Sequence, residues 1–229
     1  MEHKNKLITL LCAIISITSC KKYKIESYSL TSLTAVNAVV GGVGMKIGSR
    51  AVTIGNNNFA QISLFQGSND LYFWPVADSL HPYFSDSKFV TEDREIYSLF
   101  VCGQAGSTEG VIIKEDIPYR TDSTAGIRFI NLSPNSTPLN ITLSTTPTIN
   151  EVSNLAYKQY TEFKTYPGFY NSAYTFQIRD ASAASPSAPL ATFSLTTSTV
   201  PRFSNVTLVI RGLVGTTPAL GVTRVNNDR

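Results

Sequence analysis

The sequence predicts an all-β protein, and three observations carry that expectation. Residues 30–229 show hardly any helical period. Short apolar or alternating runs recur about every 8–12 residues, broken by Gly, Pro, Asn and Ser. Within the runs the period is two. Tyr174, Phe176 and Ile178 alternate with Thr175, Gln177 and Arg179, while Val206, Leu208 and Ile210 alternate with Thr207 and Arg211, Val209 being the exception. Period two with dense β-branched and aromatic residues describes half-buried strands. Many such strands at even spacing form an antiparallel sandwich or barrel. The chain has 229 residues, 42% of them hydrophobic, which is ample for a packed core and fits one large or two small domains.

Residues 1–19 read as a secretory signal peptide. A basic start with Lys4 and Lys6 precedes the 11-residue, largely apolar run Leu7–Ile17, followed by Thr18-Ser19-Cys20. The run is too short to span a bilayer, which needs about 20 apolar residues. Ile17-Thr18-Ser19-Cys20 resembles a bacterial lipobox, which makes Cys20 the lipidated first residue of the mature chain and residues 20–29 a tether. Several acyl chains on one cysteine anchor firmly where a single chain does not. Lys21, in place of an inner-membrane retention Asp, favours sorting to the outer membrane. The acidic run common in surface-exported lipoproteins is missing, so the protein is expected to face either the periplasm or the cell surface. The formal charge of +3 belongs to this leader. Five of the 19 basic and two of the 16 acidic residues lie in 1–26, so 14 of each remain in 27–229. A chain with only 15% charged residues and a charge-balanced body excludes a nucleic-acid groove.

The body repeats itself. Leu33-Thr-Ala-Val-Asn37 aligns with Ile127-Arg-Phe-Ile-Asn131, and Val43–Ile47 with Leu139–Leu143. Phe65-Gln-Gly67 followed by Leu71-Tyr-Phe aligns with Tyr166-Pro-Gly168 followed by Ala173–Phe176, and Ser98–Gly103 with Thr207–Gly212. The order is kept while the offset grows, as loop insertions in a second copy require. Residues 30–118 and 126–229 are therefore expected to be two related β-modules, each with about seven strand candidates. The polar segment 119–125 joins them with linker composition.

The second module carries a resemblance. Gly126-Ile-Arg-Phe-Ile-Asn-Leu-Ser-Pro-Asn135, Leu155–Gly168, Asn205–Gly215 and Ala219-Leu-Gly-Val222 resemble the opening, middle and close of the domain-of-unknown-function 4397 family. They cover nearly all of residues 126–229. The first module resembles a diverged copy, because Asn37-Ala-Val lacks a following Ser-Pro and Gln66-Gly67 replaces Pro-Gly. The resemblance implies Ig-like β-sandwich modules in secreted or lipid-anchored envelope proteins, and it brings no catalytic residues.

Catalytic chemistry finds little to use. His81 is the only histidine beyond the signal, and Asp78, Ser79 and His81 share one loop, Pro75–Pro82. Working triads gather residues distant in sequence around an oxyanion hole. One His and one thiol give no zinc ligand set, and Glu92-Asp93-Arg94-Glu95 reads as a solvated turn rather than a calcium site. No catalytic residue, metal ligand or cofactor is expected. A hydrolase with dispersed carboxylates is the remote alternative, for which no pair is nominated. Gly41-Gly42-Val43-Gly44 lacks the Lys-Ser/Thr of a phosphate loop and reads as a hairpin turn. Cys102 sits in an apolar run and is expected to be a buried core thiol. Asn37 and Asn131 are expected to cap their own turns, Asn also tolerating a left-handed φ, and Arg211 to be a solvated side chain. Four Asn-x-Ser/Thr sequons, at Asn131, Asn135, Asn140 and Asn205, read as Asn/Thr-rich strands and turns.

Aromatics are the one ligand signal. In Leu71-Tyr-Phe-Trp-Pro75, Tyr72 and Trp74 share one sheet face and Leu71 and Phe73 the other, with Tyr83 and Phe84 on the next segment. Such faces stack on sugar rings or bury in cores and interfaces. The equivalent connection of the second module, Asp180–Pro189, is small and polar. The expected protein is thus a lipid-anchored outer-membrane protein of two tandem sandwiches, a non-catalytic binding or spacer module. Its partners are the membrane, through the N-terminal lipid, and a glycan or an envelope protein. The alternative is carbohydrate binding by Tyr72, Trp74, Tyr83 and Phe84.

Overall fold

Alternation becomes strands throughout the chain. The computed structural model describes residues 29–48 and 52–227. Residues 1–19, read as a signal peptide, and Cys20 lie outside the described residues. The first module is built from β1 (Leu30–Asn37), β2 (Met45–Ile47), β3 (Thr53–Ile54), β4 (Asn58–Phe65), β5 (Gly67–Pro75), β6 (Phe84–Thr91), β7 (Ile96–Gln104) and β8 (Ser107–Lys114). The second follows with β9 (Ala125–Asn131), β10 (Leu139–Leu143), β11 (Thr146–Leu155), β12 (Lys164–Tyr166), β13 (Tyr174–Asp180), β14 (Ala191–Leu195), β15 (Ser204–Arg211) and β16 (Gly221–Asn227). Among the described residues there is no helix.

Each module is a sandwich of two four-stranded sheets. The first pairs β4-β1-β7-β8 with β3-β2-β5-β6, and the second pairs β12-β9-β15-β16 with β11-β10-β13-β14. Adding eight to every strand of the first gives the second, so the repeat extends to topology. All ladders are antiparallel except β1–β7 and β9–β15, which run parallel. The backbone repeats as well. Asn57 and Lys158 have φ of 59° and 65°, and Arg94 and Phe203 share φ of 58°. Gly103 and Gly212 have φ of 86° and 92°, and a Cβ there would meet the carbonyl oxygens of Ser107 at 2.5 Å and Ala219 at 2.3 Å. Only glycine fits both turns.

Alternation puts one set of side chains inside each sandwich. Leu33, Met45, Ile54, Leu71, Phe73 and Leu99 fill the first interior; Ile127, Phe129, Ile141, Phe176, Leu208 and Ile210 fill the second. Asn37 and Asn131 sit at matching corners, both fully buried. Asn131 Oδ1 accepts from Ser133 N at 3.0 Å, and its Nδ2 donates to Ser136 Oγ at 3.0 Å and Leu155 O at 3.1 Å. Asn37 repeats this with Val39 N, Val43 O and Ile54 O. Both cap their turns as expected, without a left-handed φ. Asn131→Ala orphans buried backbone groups and is expected to cost about 1–3 kcal/mol in a urea titration.

The second face of each inner sheet is not solvated. Val36, Ala38, Phe100, Cys102 and Ile113 from the first module pack with Ile130, Leu132, Val209 and Val225 from the second as one buried cluster. The sheets β4-β1-β7-β8 and β12-β9-β15-β16 therefore lie back to back, and the molecule is four sheets deep. This explains Val209, the exception to alternation: β15 is buried on both faces, and Val209 faces the other module. Arg211 departs from the solvated reading for the same reason. It is half-buried, its Nε donates to Thr223 Oγ1 at 3.2 Å, and burial pushes its guanidinium pKa down.

Contacts at the seam fix its direction. Lys158 bonds Glu109, Tyr157 Oη donates to Glu109 Oε1 at 3.3 Å, and Thr223 Oγ1 donates to Asn57 O at 3.3 Å. Asn57, Glu109, Tyr157 and Lys158 all lie toward the ends where β1 and β9 finish, called here the upper ends. The lower ends, where β1 and β9 begin, are joined by residues 115–124. That polar segment is pinned to the second module: Arg120 Nε donates to Asn205 Oδ1 at 2.7 Å and Asn205 Nδ2 to Pro118 O at 2.9 Å.

The Gly41–Gly44 segment corrects an expectation. It is no hairpin, because β1 and β2 do not pair; it carries the chain from one sheet to the facing one. Gly41 supplies φ of 68°, and a Cβ on Gly42 would come within 2.8 Å of Val39.

Candidate functional site

The aromatic strand β5 has one buried and one half-exposed face. Leu71 and Phe73 are 1% and 0% exposed, inside the sandwich. Tyr72 and Trp74 point out from the sheet β3-β2-β5-β6, both partly exposed, their ring centroids 5.6 Å apart with planes inclined at 45°. Lys46 on β2 pairs with Trp74, and Ser85 on β6 pairs with Tyr72, so the rings stand between an exposed cation and a small polar residue. Tyr72 Oη donates to Ser79 O at 2.7 Å, which holds the β5–β6 loop over the strand. The tilt makes a shallow angled surface rather than one flat platform.

The four nominated aromatics do not act together. Tyr83 and Phe84 pack against the interior of the first sandwich. Phe84 lies over Gly110, where a Cβ would come within 2.3 Å of its ring, and stands 6.3 Å from Phe73. Tyr83 Oη accepts from Val43 N at 3.0 Å. Tyr72 and Trp74 are thus the pair that faces outward.

In the same loop Asp78 Oδ2 lies 2.8 Å from His81 Nδ1, and the imidazole side chain is 83% exposed. The His81 bond lowers the Asp78 pKa. A general base needs a partner held in a water-poor setting; this pair is solvated. Glu92 and Glu95 share Lys114 Nζ at 2.7 and 3.2 Å on the lower surface, and their segment forms the turn into β7. Among the described residues no three His, Cys, Asp or Glu side chains gather in a way that could hold a metal ion.

Cys102 is fully buried, at the seam rather than inside its own sandwich. Tyr157 Oη lies 3.7 Å from its Sγ, and burial pushes the thiol pKa up to about 11. A thiol held protonated and enclosed is a poor nucleophile. It is expected to resist iodoacetamide at pH 8 in the native protein and to react once urea unfolds it. Because the folded pKa lies above the ordinary 9.0, this thiol leaves stability intact below pH 9. It subtracts from stability as pH rises from 9 toward 11, where only the unfolded chain has lost the proton.

The polar centre of the seam gave no sequence signal. Arg128 on β9 grips Glu115, just past β8, with Nη1–Oε2 at 2.7 Å and Nη2–Oε1 at 2.5 Å, both side chains essentially buried. Its Nε donates to Thr207 Oγ1 at 2.9 Å, which donates to Asn227 Oδ1 at 2.7 Å, and Phe163 stacks 4.5 Å from the guanidinium. The exposed aromatics at the lower end of the second module, Tyr119, Phe169, Tyr170 and Phe203, carry no alternation signal either. They sit in turns and the linker, and strand alternation is silent there. Aromatic residues within otherwise polar turns were the available signal.

Fold and site together define a protein of two tandem eight-stranded β-sandwiches, docked back to back. Neither a scan against protein-family models nor a search of curated proteins returns a match for the chain.

Proposed function

We propose that this is a lipid-anchored bacterial envelope protein of the outer membrane, a non-catalytic module that binds or spaces and belongs with the domain-of-unknown-function 4397 proteins. The observation that carries the reading is the lipobox Ile17–Cys20, followed ten residues later by β1. The rigid double sandwich supports it, because a tether entering the lower end leaves the upper loops of both modules facing away from the anchor. In an expressing bacterium the wild-type chain takes up a palmitate analogue and Cys20→Ala does not. A wild-type chain without label overturns the anchor.

Tyr72 and Trp74 favour a second reading, carbohydrate binding. Two half-exposed rings beside Lys46 offer apolar faces to a pyranose with a polar donor at their edge. Tyr83 and Phe84 support that strand from inside. On a glycan array, binding that Trp74→Ala abolishes supports this reading; an array blank for the wild type rejects it.

A further inference from the structure

The two turns that lead into β7 and β15 at the lower ends differ in character. In the first module the turn before β7 is Glu92-Asp93-Arg94-Glu95, a charged surface. In the second, the equivalent turn ends in Phe203, which is 60% exposed. Around it stand Tyr119 at 76%, Phe169 at 64% and Tyr170 at 89% exposed. Among the described residues, Tyr160 is the one comparably exposed aromatic away from the lower ends, where Phe65 also lies. Four exposed aromatics gathered on one end of a module mark a candidate interaction surface.

They are held in place rather than dangling. Arg202 Nε donates to Gly168 O at 2.7 Å and its Nη2 to Phe169 O at 2.8 Å, tying the β12–β13 turn to the turn before β15. Phe203 N donates to Thr124 O at 3.0 Å. Gly168 lets the turn close against the linker, since a Cβ there would meet Ser123 O at 1.6 Å. A recess of about 340 Å³ opens between Tyr119 and Phe203. Side chains fixed this way lose little freedom when a partner covers them.

We infer that this aromatic end of the second module is a bilayer-contact face that seats in the headgroup region beside the anchor. The inference rests on the lipid-anchor reading. β1 begins at the same end of the molecule, and Cys20 lies ten residues before Leu30, a span of at most about 35 Å. The tether thus keeps the aromatic end at high effective concentration against the membrane. Tyrosine, with a polar hydroxyl on an apolar ring, suits the bilayer interface, and the phenylalanines beside it add apolar surface. Lys21, Lys22 and Lys24 in the tether add attraction to anionic headgroups.

The lipidated full chain is tested in phosphatidylethanolamine–phosphatidylglycerol vesicles, with lipids brominated near the headgroup as quenchers. Trp74 is the only tryptophan, so Trp74→Phe combined with Tyr170→Trp moves the indole to the proposed face. Tyr170 is 89% exposed, and its replacement leaves the core intact. Brominated vesicles are expected to quench that variant by roughly twofold, as for an interfacial indole, and to leave the parent, with its indole at position 74, unchanged. Equal, weak quenching in both chains overturns the face while the anchor stands. A chain that fails to float with vesicles overturns the anchor, and the face with it.

Discussion

Arg128→Leu is expected to cost about 3–5 kcal/mol at neutral pH, because it strands the Glu115 carboxylate in the seam without its bidentate partner. Glu115 directly follows β8, the first module's last strand, and Arg128 lies in the second module's first strand, so the loss falls on the contact between modules. The wild type is expected to unfold in a single urea transition, and the variant in two. The double variant Glu115→Leu/Arg128→Leu is expected to recover most of the loss, since a buried pair costs desolvation that an apolar pair does not. Arg128→Lys recovers little, because a lysine offers neither the two parallel bonds nor the stacking on Phe163. A loss under about 1 kcal/mol for Arg128→Leu, the size of an exposed ion pair, would remove this pair from the account of the seam.

Phe100→Ala is expected to cost about 3–5 kcal/mol, as a fully buried phenylalanine truncated in a core does. Phe100 does not face its own sandwich; it belongs to the cluster that joins the modules. Two modules tethered as beads would leave it on a wet sheet face, where truncation costs within about 0.5 kcal/mol. Denaturant titrations of this variant and of Phe73→Ala separate the cases. Phe73→Ala, inside the first sandwich, is expected to lower stability by a similar amount under either arrangement. Only the docked arrangement makes Phe100 equally costly and splits the transition.

The two inferences about function lie at opposite ends of the same body. The angled pair Tyr72 and Trp74 lies at the β5–β6 loop end, while Tyr119, Phe169, Tyr170 and Phe203 lie at the lower end, where β1 begins. If both hold, the molecule seats one end on lipid and presents the other to a glycan or an envelope partner. The rigid seam keeps those ends apart by the length of the strands.

Strand content and the repeat were legible because both are local. Tyr174–Asp180 alternates in sequence and buries Phe176 and Ile178 on one face, although Arg179 opposite them is buried too, and the pairs Asn37/Asn131 and Gly103/Gly212 recur with the same turn geometry. Leu71 and Phe73 facing in, with Tyr72 and Trp74 facing out, followed from the period of the pleat. The placement of Tyr83, just before β6, and of Phe84, its first residue, did not follow, since nothing in the preceding loop's sequence says on which face the returning strand begins.

By itself the sequence determined which residues form strands, which strands match between the two copies, and where a leader and lipid site are expected. These depend on side-chain order along one chain. What only the tertiary structure decided is how the second face of each inner sheet is satisfied. Val36, Phe100, Cys102, Ile130 and Val209 read as exceptions or ordinary core while each module is considered alone. Their burial is shared by strands about a hundred residues apart, and the Glu115–Arg128 pair becomes stable only once that seam excludes water.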